Sequence, residues 1–238
     1  MSAGAIVAIV VGGCLLVFGG IAWMMVWLRR SYREGETAAL GRLRTELANR
    51  GWTYAERDDS YVALYNGQNQ YKRPNPVNPL IRNPQAHSAR DVVVGTHRGR
   101  PFVAATYEVS YRGEQEPLRC IWVRTPAVRS ALTVTKVLPG ENVMNAAIGR
   151  ASLALGNPEF DKRFRVSAED DRFAAAVLNP RMIQQLLAAP GSFRGFWLLG
   201  DQIDMLDPVS DHRDPAELIP ALDRRCDLLD LIPTTAWA

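Results

Sequence analysis

The feature that most limits what this chain can fold into is an apolar segment near its start, from Ala3 to Leu28. The segment contains no charged residue and no proline, and Arg29 follows it directly. At about 1.5 Å per helical residue it is long enough to cross a hydrocarbon layer of about 30 Å. Because a helix satisfies every backbone polar group within such a layer, the sequence predicts a single transmembrane helix over 3–28.

Two other interpretations of this segment compete with a membrane span. A cleaved signal peptide needs a basic residue before the apolar run and small residues at its end. Here no basic residue precedes the run, and bulky residues, Trp23 to Leu28, stand where cleavage would occur. A buried helix of a soluble domain is the second alternative, but uncharged runs of this length favour a membrane span.

The charged residues next to the span predict its direction. Arg29, Arg30 and Arg33 all stand on its C-terminal side, and cytoplasmic flanks carry the excess of positive charge. The sequence therefore predicts a protein of the cell inner (plasma) membrane, with its N-terminus outside and its C-terminal domain in the cytoplasm. The three arginines are also candidate contacts for lipid headgroups, although an ordinary stop-transfer flank with a solvated helix face is the explanation that the sequence favours.

Small residues inside the span form a stripe at steps of four, interrupted by Leu16. Such a stripe lets two helices approach closely and predicts a homodimer through the transmembrane helix. The alternative is that Gly and Ala are simply common in membrane spans. The candidate dimer residues are Gly4, Ala8, Gly12 and Gly20.

After the span, the sequence predicts a basic, amphipathic juxtamembrane helix within 29–51 and a cytoplasmic α+β domain over 52–238. Leucines at helical spacing support the helix, and Gly51 is a natural stop for it. A Pro- and Asn-rich stretch, 66–90, is predicted to be a surface loop.

Alternating apolar residues predict an antiparallel sheet of about seven strands, with two inserted helices and a C-terminal helix. A partly closed sheet similar to pleckstrin-homology-like folds is the first predicted architecture, and a sheet with helices layered on one face is the alternative. Strands are predicted at Ser60–Tyr65 and Phe160–Val166, and a hairpin at Gly200–Asp201. A helix start is predicted at Asn179–Pro180. For the last helix the sequence leaves two starts open: Asp214–Pro215, which repeats the cap-and-proline pattern, and Pro220.

One side-chain cluster suggests chemistry. His212 stands in sequence near Asp204 and Asp207, and imidazole with carboxylates can bind a divalent ion. Asp residues also serve as turn and cap residues, which is the competing explanation. The chain has no phosphate-binding loop, no Cys/His cluster and only a modest net charge of +3. No cofactor and no nucleic-acid partner are therefore predicted.

Three motifs resemble those of uncharacterised actinobacterial membrane-anchored proteins. They are a GxxRGRPF hairpin at Gly95–Phe102, an FxxxFxV strand at Phe160–Val166 and an AxxLxPRM helix start at Ala175–Met182. The resemblance covers roughly residues 40–232. It implies a membrane-anchored domain and supplies no catalytic residues.

These observations favour a non-enzymatic function. The sequence predicts a membrane-anchored cytoplasmic binding or scaffold module whose partners are the lipid bilayer and an unidentified protein. The alternative is a membrane-tethered hydrolase or metal-dependent enzyme that uses the region of Asp204, Asp207 and His212.

Overall fold

The computed structural model describes residues 18–21, 23–25, 27, 37–71, 83–111, 114–137, 153–207 and 209–238. The chain separates into two compact units, Met1–Thr45 and Glu46–Ala238. Three helical residues of the first unit, Phe18, Trp23 and Trp27, are more than half exposed. Residues 37–50 are helical (α1).

The structure corrects the predicted fold class at its first element. Among the residues just given, no helix is long and apolar enough to cross a bilayer. The prediction of a single-pass transmembrane helix is therefore wrong for this fold. Most of 3–28 lies outside the described residues, as do the candidate dimer residues Gly4, Ala8 and Gly12 and the arginines Arg29, Arg30 and Arg33. Gly20 is described and is exposed on a helical segment.

Over its described residues, the second unit is built on one antiparallel sheet of six strands, where the sequence predicted about seven. Their order is β1-β2-β3-β4-β5, and β6 also pairs with β4. The strands are β1 (Thr53–Arg57), β2 (Gln85–His97), β3 (Arg100–Tyr111), β4 (Glu114–Lys136), β5 (Phe164–Ala168) and β6 (Gly195–Met205).

The β6 strand folds back on itself at Gly200 and Asp201. A backbone hydrogen bond of 3.0 Å from the N–H of Leu206 to the carbonyl of Gly195 joins its two ends. Gly200 has a φ of 60°, which glycine adopts without steric cost. The hairpin predicted at this dipeptide is therefore present.

The β4 strand passes around the outside of this hairpin. Arg124 pairs with Gln202, and Arg129 pairs with Gly200. The intervening residues of β4, 125–128, therefore go round the tip of β6. The two strands form nested hairpins, which is why β4 is so long.

Helices pack on both faces of the sheet. The sequence had instead predicted a partly closed, pleckstrin-homology-like sheet or, as the alternative, a sheet with helices layered on one face. Helix α2 (Val62–Gln68) places Tyr65 in a buried cluster with Tyr107 and Trp122. Ile121 and Val123 alternate with Trp122 along β4 and are also buried, so they belong to the opposite face. Helix α6 (Pro215–Asp230) packs against β4 and β6 on that side.

Three further helices follow β4. They are α3 (Pro158–Arg163), α4 (Asp171–Val177) and α5 (Pro180–Ala188). The side chain of Asn179 caps α5 by accepting from the N–H groups of Arg181 and Met182, so this predicted helix start is confirmed.

Two predicted strands are wrong at least in part. Residues 60–65 lie in a 3₁₀ turn and in α2, and residues 160–163 belong to α3. Only Phe164–Val166 of the second predicted strand lies in β5. The predicted loop 66–90 contains the end of α2 and the start of β2, while 72–82 lie outside the described residues.

Candidate binding cleft

Helix α6 forms one wall of the candidate site, and it starts at the first of the two positions that the sequence left open. The carboxylate of Asp214 accepts a hydrogen bond of 3.0 Å from the N–H of Ala216. Pro215 occupies the first helical position, where its missing N–H costs nothing. Pro220 lies inside the helix, so the helix begins before this second proline.

The turn between β2 and β3 is fastened to α6 by arginines. Arg98 and Gly99 have φ values of 49° and 77°, as in a type I′ turn. Arg98 donates to the carboxylates of Asp227 at 2.5 Å and Asp230 at 2.6 Å. Arg100 donates to Asp230 at 2.7 Å. These contacts, which we call the surface clamp, hold the hairpin against one face of the helix.

Other residues of the GxxRGRPF motif hold the same hairpin through contacts with α6 and with Trp52. The Nε2 atom of His97 lies 2.8 Å from a carboxylate oxygen of Asp223. The ring of Trp52 packs edge-on against Phe102, with centroids 4.8 Å apart. A Cβ atom at Gly95 would lie 2.3 Å from the Trp52 ring, so only glycine fits there. Each of these motif residues therefore has a structural role.

A buried arginine fastens α6 to the sheet. Arg225 is only 1% exposed. Its Nη2 donates to Asp207 at 2.8 Å, its Nε donates to the carbonyl of Ile121 at 2.7 Å, and its Nη1 donates to the carbonyl of Ala221 at 2.8 Å. A buried guanidinium is tolerated only with such partners. We call this set of contacts the buried network.

The two carboxylates near Arg225 have opposite pKa shifts. Burial alone would raise the pKa of Asp207, but the charge of Arg225 and hydrogen bonds from Arg225 and Arg224 outweigh burial, and this pKa lies below the ordinary value. Burial raises the pKa of Asp204 despite the charge of Arg225 and a hydrogen bond from the indole of Trp122. Asp207 is therefore the carboxylate whose charged form Arg225 stabilises most.

His212 lies apart from this network. Its Nε2 atom lies 2.6 Å from the backbone carbonyl of Asp91. Because a carbonyl only accepts, Nε2 carries the proton. The Nδ1 atom is buried and has no hydrogen-bond partner within the described part of the chain. Burial lowers the pKa of His212, although the hydrogen bond to Asp91 and the charge of Asp211 oppose the shift.

The structure therefore does not bring the sequence-predicted site residues together. Asp204 and Asp207 lie around Arg225, and His212 contacts β2 instead. No group of three or more His, Cys, Asp or Glu side chains that would hold a metal ion occurs among the described residues.

A cleft of about 380 Å³ opens between the end of α5 and the C-terminal half of α6. Its floor is apolar, and its rim carries polar and charged groups. Arg224 stands on this rim, half exposed, and donates to Asp207 at 2.8 Å. The lining residues are Gln185, Leu186, Ala188, Ala189, Pro190, Ser192, Phe193, Met205, Asp207, Arg224, Asp227 and Leu228.

Sequence reasoning missed this cleft because its walls come from three separate segments, near 185–193, 205–207 and 224–228. One signal was available. Arg225 interrupts the apolar stripe of α6, three residues after Leu222 and four before Leu229. A charged residue at a core position indicates a buried ion pair, and that pair marks the back of the cleft.

Comparisons with known proteins give little further information. No protein-family model matches the chain, and no curated protein matches it. The resemblance based on the three motifs therefore remains a prediction. A solved structure of the mycobacterial trehalose monomycolate transport factor A, TtfA, is similar at 14% identity and a TM-score of 0.46. The match covers 82% of this chain and 96% of that chain. Similarity this low carries no information on function.

Proposed function

We propose that the folded unit is a non-enzymatic binding module that recruits a protein partner through the cleft between α5 and α6. One observation supports the proposal: the cleft of about 380 Å³ has an apolar floor and a rim whose acidic groups are already paired with arginines. This volume lies at the lower end of ordinary ligand sites. It suits one or two large side chains of a partner.

The same rim is poorly suited to catalysis. A general acid works best with a pKa near the working pH, whereas the pKa of Asp207 lies below its ordinary value. Asp227 is held by Arg98. The alternative of a hydrolase or metal-dependent enzyme around Asp204, Asp207 and His212 gains no support, because His212 contacts Asp91 instead of the two carboxylates.

We also propose that the chain works at the inner face of the cell membrane, with the folded unit in the cytoplasm and the lipid bilayer as a further partner. Support comes from the sequence alone, where Arg29, Arg30 and Arg33 are clustered. An association based on arginines weakens as salt screens the charges. Washing cell membranes with 50 mM and then about 1 M salt tests this: retention that is independent of salt would contradict contacts through the arginines.

Blocking the mouth of the cleft tests whether the cleft binds a protein partner. In Ala188→Trp, an exposed residue at the end of α5 becomes a large ring at the mouth of the cleft. The matched control is Ala216→Trp, an exposed residue of α6 that does not line the cleft. Proximity labelling from the full-length chain in its own cells should identify proteins that are lost with Ala188→Trp and kept with Ala216→Trp.

Thermal unfolding of both variants checks that each is folded. The proposal is wrong if the wild-type chain and the two variants label the same set of proteins to the same extent.

A further inference from the structure

We infer that the cleft recognises a short peptide segment in which a large apolar side chain stands next to an acidic one, and that Arg224 receives the acidic group. This inference rests on the proposed function and adds the chemical class of the partner.

The floor of the cleft sets the apolar part of the ligand. Leu186, Phe193, Met205 and Leu228 line the cleft, and each is buried in the fold. Their side chains offer only hydrocarbon and thioether contacts. An inserted Leu, Phe or Met side chain gains by leaving water there, whereas a polar side chain would lose its hydrogen bonds.

Arg224 determines the charged part of the ligand. Its side chain is 46% exposed, and a guanidinium carries five N–H donors in a planar fork. Only its Nη2 atom is engaged by Asp207 among the contacts of the described residues. The remaining donors are available to a carboxylate at the rim, and a charge-assisted pair of this kind is stronger than a neutral hydrogen bond.

The acidic residues of the lining do not repel such a carboxylate, because each is already paired. Asp207 accepts from the buried Arg225 at 2.8 Å. Asp227 accepts from Arg98 at 2.5 Å. Arg224 is therefore the charged group of the rim that an incoming anion meets with favourable sign.

The polar groups of the rim favour a peptide over a lipid chain. Gln185 and Ser192 line the cleft and are exposed. A peptide backbone can donate to and accept from these side chains. A hydrocarbon chain would cover them without hydrogen bonds, which costs free energy.

The test uses the purified full-length chain and a phage-displayed library of random dodecapeptides. We expect enriched sequences to place a large apolar residue beside Asp or Glu. One enriched peptide is then labelled, and its acidic residue is changed to the amide. We expect the amide peptide to bind the wild-type chain about tenfold more weakly, because a charge-assisted hydrogen bond is lost.

Two substitutions locate this effect. In Arg224→Gln, both peptides should bind equally, and Asp207 still keeps Arg225 as its partner. In Arg181→Gln, an exposed arginine of α5 outside the cleft is changed, and the preference for the acidic peptide should persist.

The outcomes separate this inference from the proposed function. Enriched peptides without an acidic preference, lost with Ala188→Trp, would overturn the inference and leave the cleft as a binding site. Peptides that bind Ala188→Trp as well as wild type would overturn both. If no peptide is enriched and oleate binds to the cleft instead, a lipid is the ligand and the inference is wrong.

Discussion

The surface clamp and the buried network fasten the same helix with the same chemistry, in different surroundings. Both join arginines to aspartates. In the surface clamp, Arg98 and Asp227 have side chains that are 40% and 55% exposed. In the buried network, Arg225 and Asp207 have side chains that are 1% and 7% exposed.

This difference in burial changes how much each ion pair contributes to the free energy of unfolding. Exposed ion pairs contribute about 0–1 kcal/mol, since water solvates the separated charges almost as well. A buried pair adds little over apolar packing, but removing one partner leaves an unpaired charge and costs about 3–5 kcal/mol. The surface clamp therefore adds little to the stability of the packed helix α6, whereas the buried network is required for α6 to pack on the sheet.

The largest effect is expected in the buried network. Arg225→Met keeps most of the side-chain volume but leaves the carboxylate of Asp207 without its main partner. The free energy of unfolding should fall by about 3–5 kcal/mol, measured by urea denaturation of the full-length chain.

A second substitution tests the reason for this loss. Adding Asp207→Leu removes the buried carboxylate that has lost Arg225, so the double variant should regain most of the stability. A loss below about 1 kcal/mol for Arg225→Met alone would show that the buried pair is not required.

The second effect concerns another buried group, His212. Its folded-state pKa lies below the ordinary value of 6.5. The contribution of His212 to the free energy of unfolding is therefore fully present above about pH 6.5. It declines as the pH falls below that value, because the unfolded state takes up the proton more readily than the folded state. The decline is at most about 1.4 kcal/mol per pH unit.

The measurement compares wild type with His212→Asn, whose amide can still donate to the carbonyl of Asp91. Between about pH 6.5 and 5.5, the wild-type chain should lose more of its free energy of unfolding than the variant does. The charged groups that face His212, namely Asp91, Asp211 and Arg119, are the same in both proteins. Equal losses would show that His212 titrates normally in the fold.

The smallest effect is expected in the surface clamp. Arg98→Ala should lower the free energy of unfolding by less than about 1 kcal/mol. The difference from wild type should shrink further in about 1 M salt, which screens exposed charges. A loss as large as that of Arg225→Met, unchanged by salt, would remove the distinction between the two regions.

What the sequence predicted well was local. Asn179 and Asp214 cap helices that begin with proline. The cap-and-proline pattern indicated both starts, although the sequence also left Pro220 open as the start of the second helix. The Gly200–Asp201 hairpin is local too. In each case the deciding contacts lie within a few residues of one another, so the printed sequence contains the whole interaction.

The wrong strands had local signals that pointed to helices. Asp58 caps the turn before α2 by accepting from the N–H of Ser60. Asn157 accepts from the N–H of Phe160 at the start of α3. The ring of Phe160 stacks on Phe164 four residues later, with centroids 5.0 Å apart, which is a helical spacing that alternation concealed.

The cleft was beyond prediction for a different reason. Phe193 and Leu228 lie 35 positions apart in the numbering and meet only after the sheet has placed α6. The sequence shows that each side chain is apolar. It does not show which apolar side chains become neighbours, because that depends on strand pairing across the whole unit.

The long separation within the surface clamp has a consequence for synthesis of the protein. Arg98 and its partner Asp227 are 129 residues apart, so the ribosome makes the hairpin long before the helix that covers it. Until that helix emerges, Ile121 and Val123 stay open to solvent on the growing chain. A chain that stalls before this point will display an apolar sheet face, and it will be a natural client for chaperones and proteases.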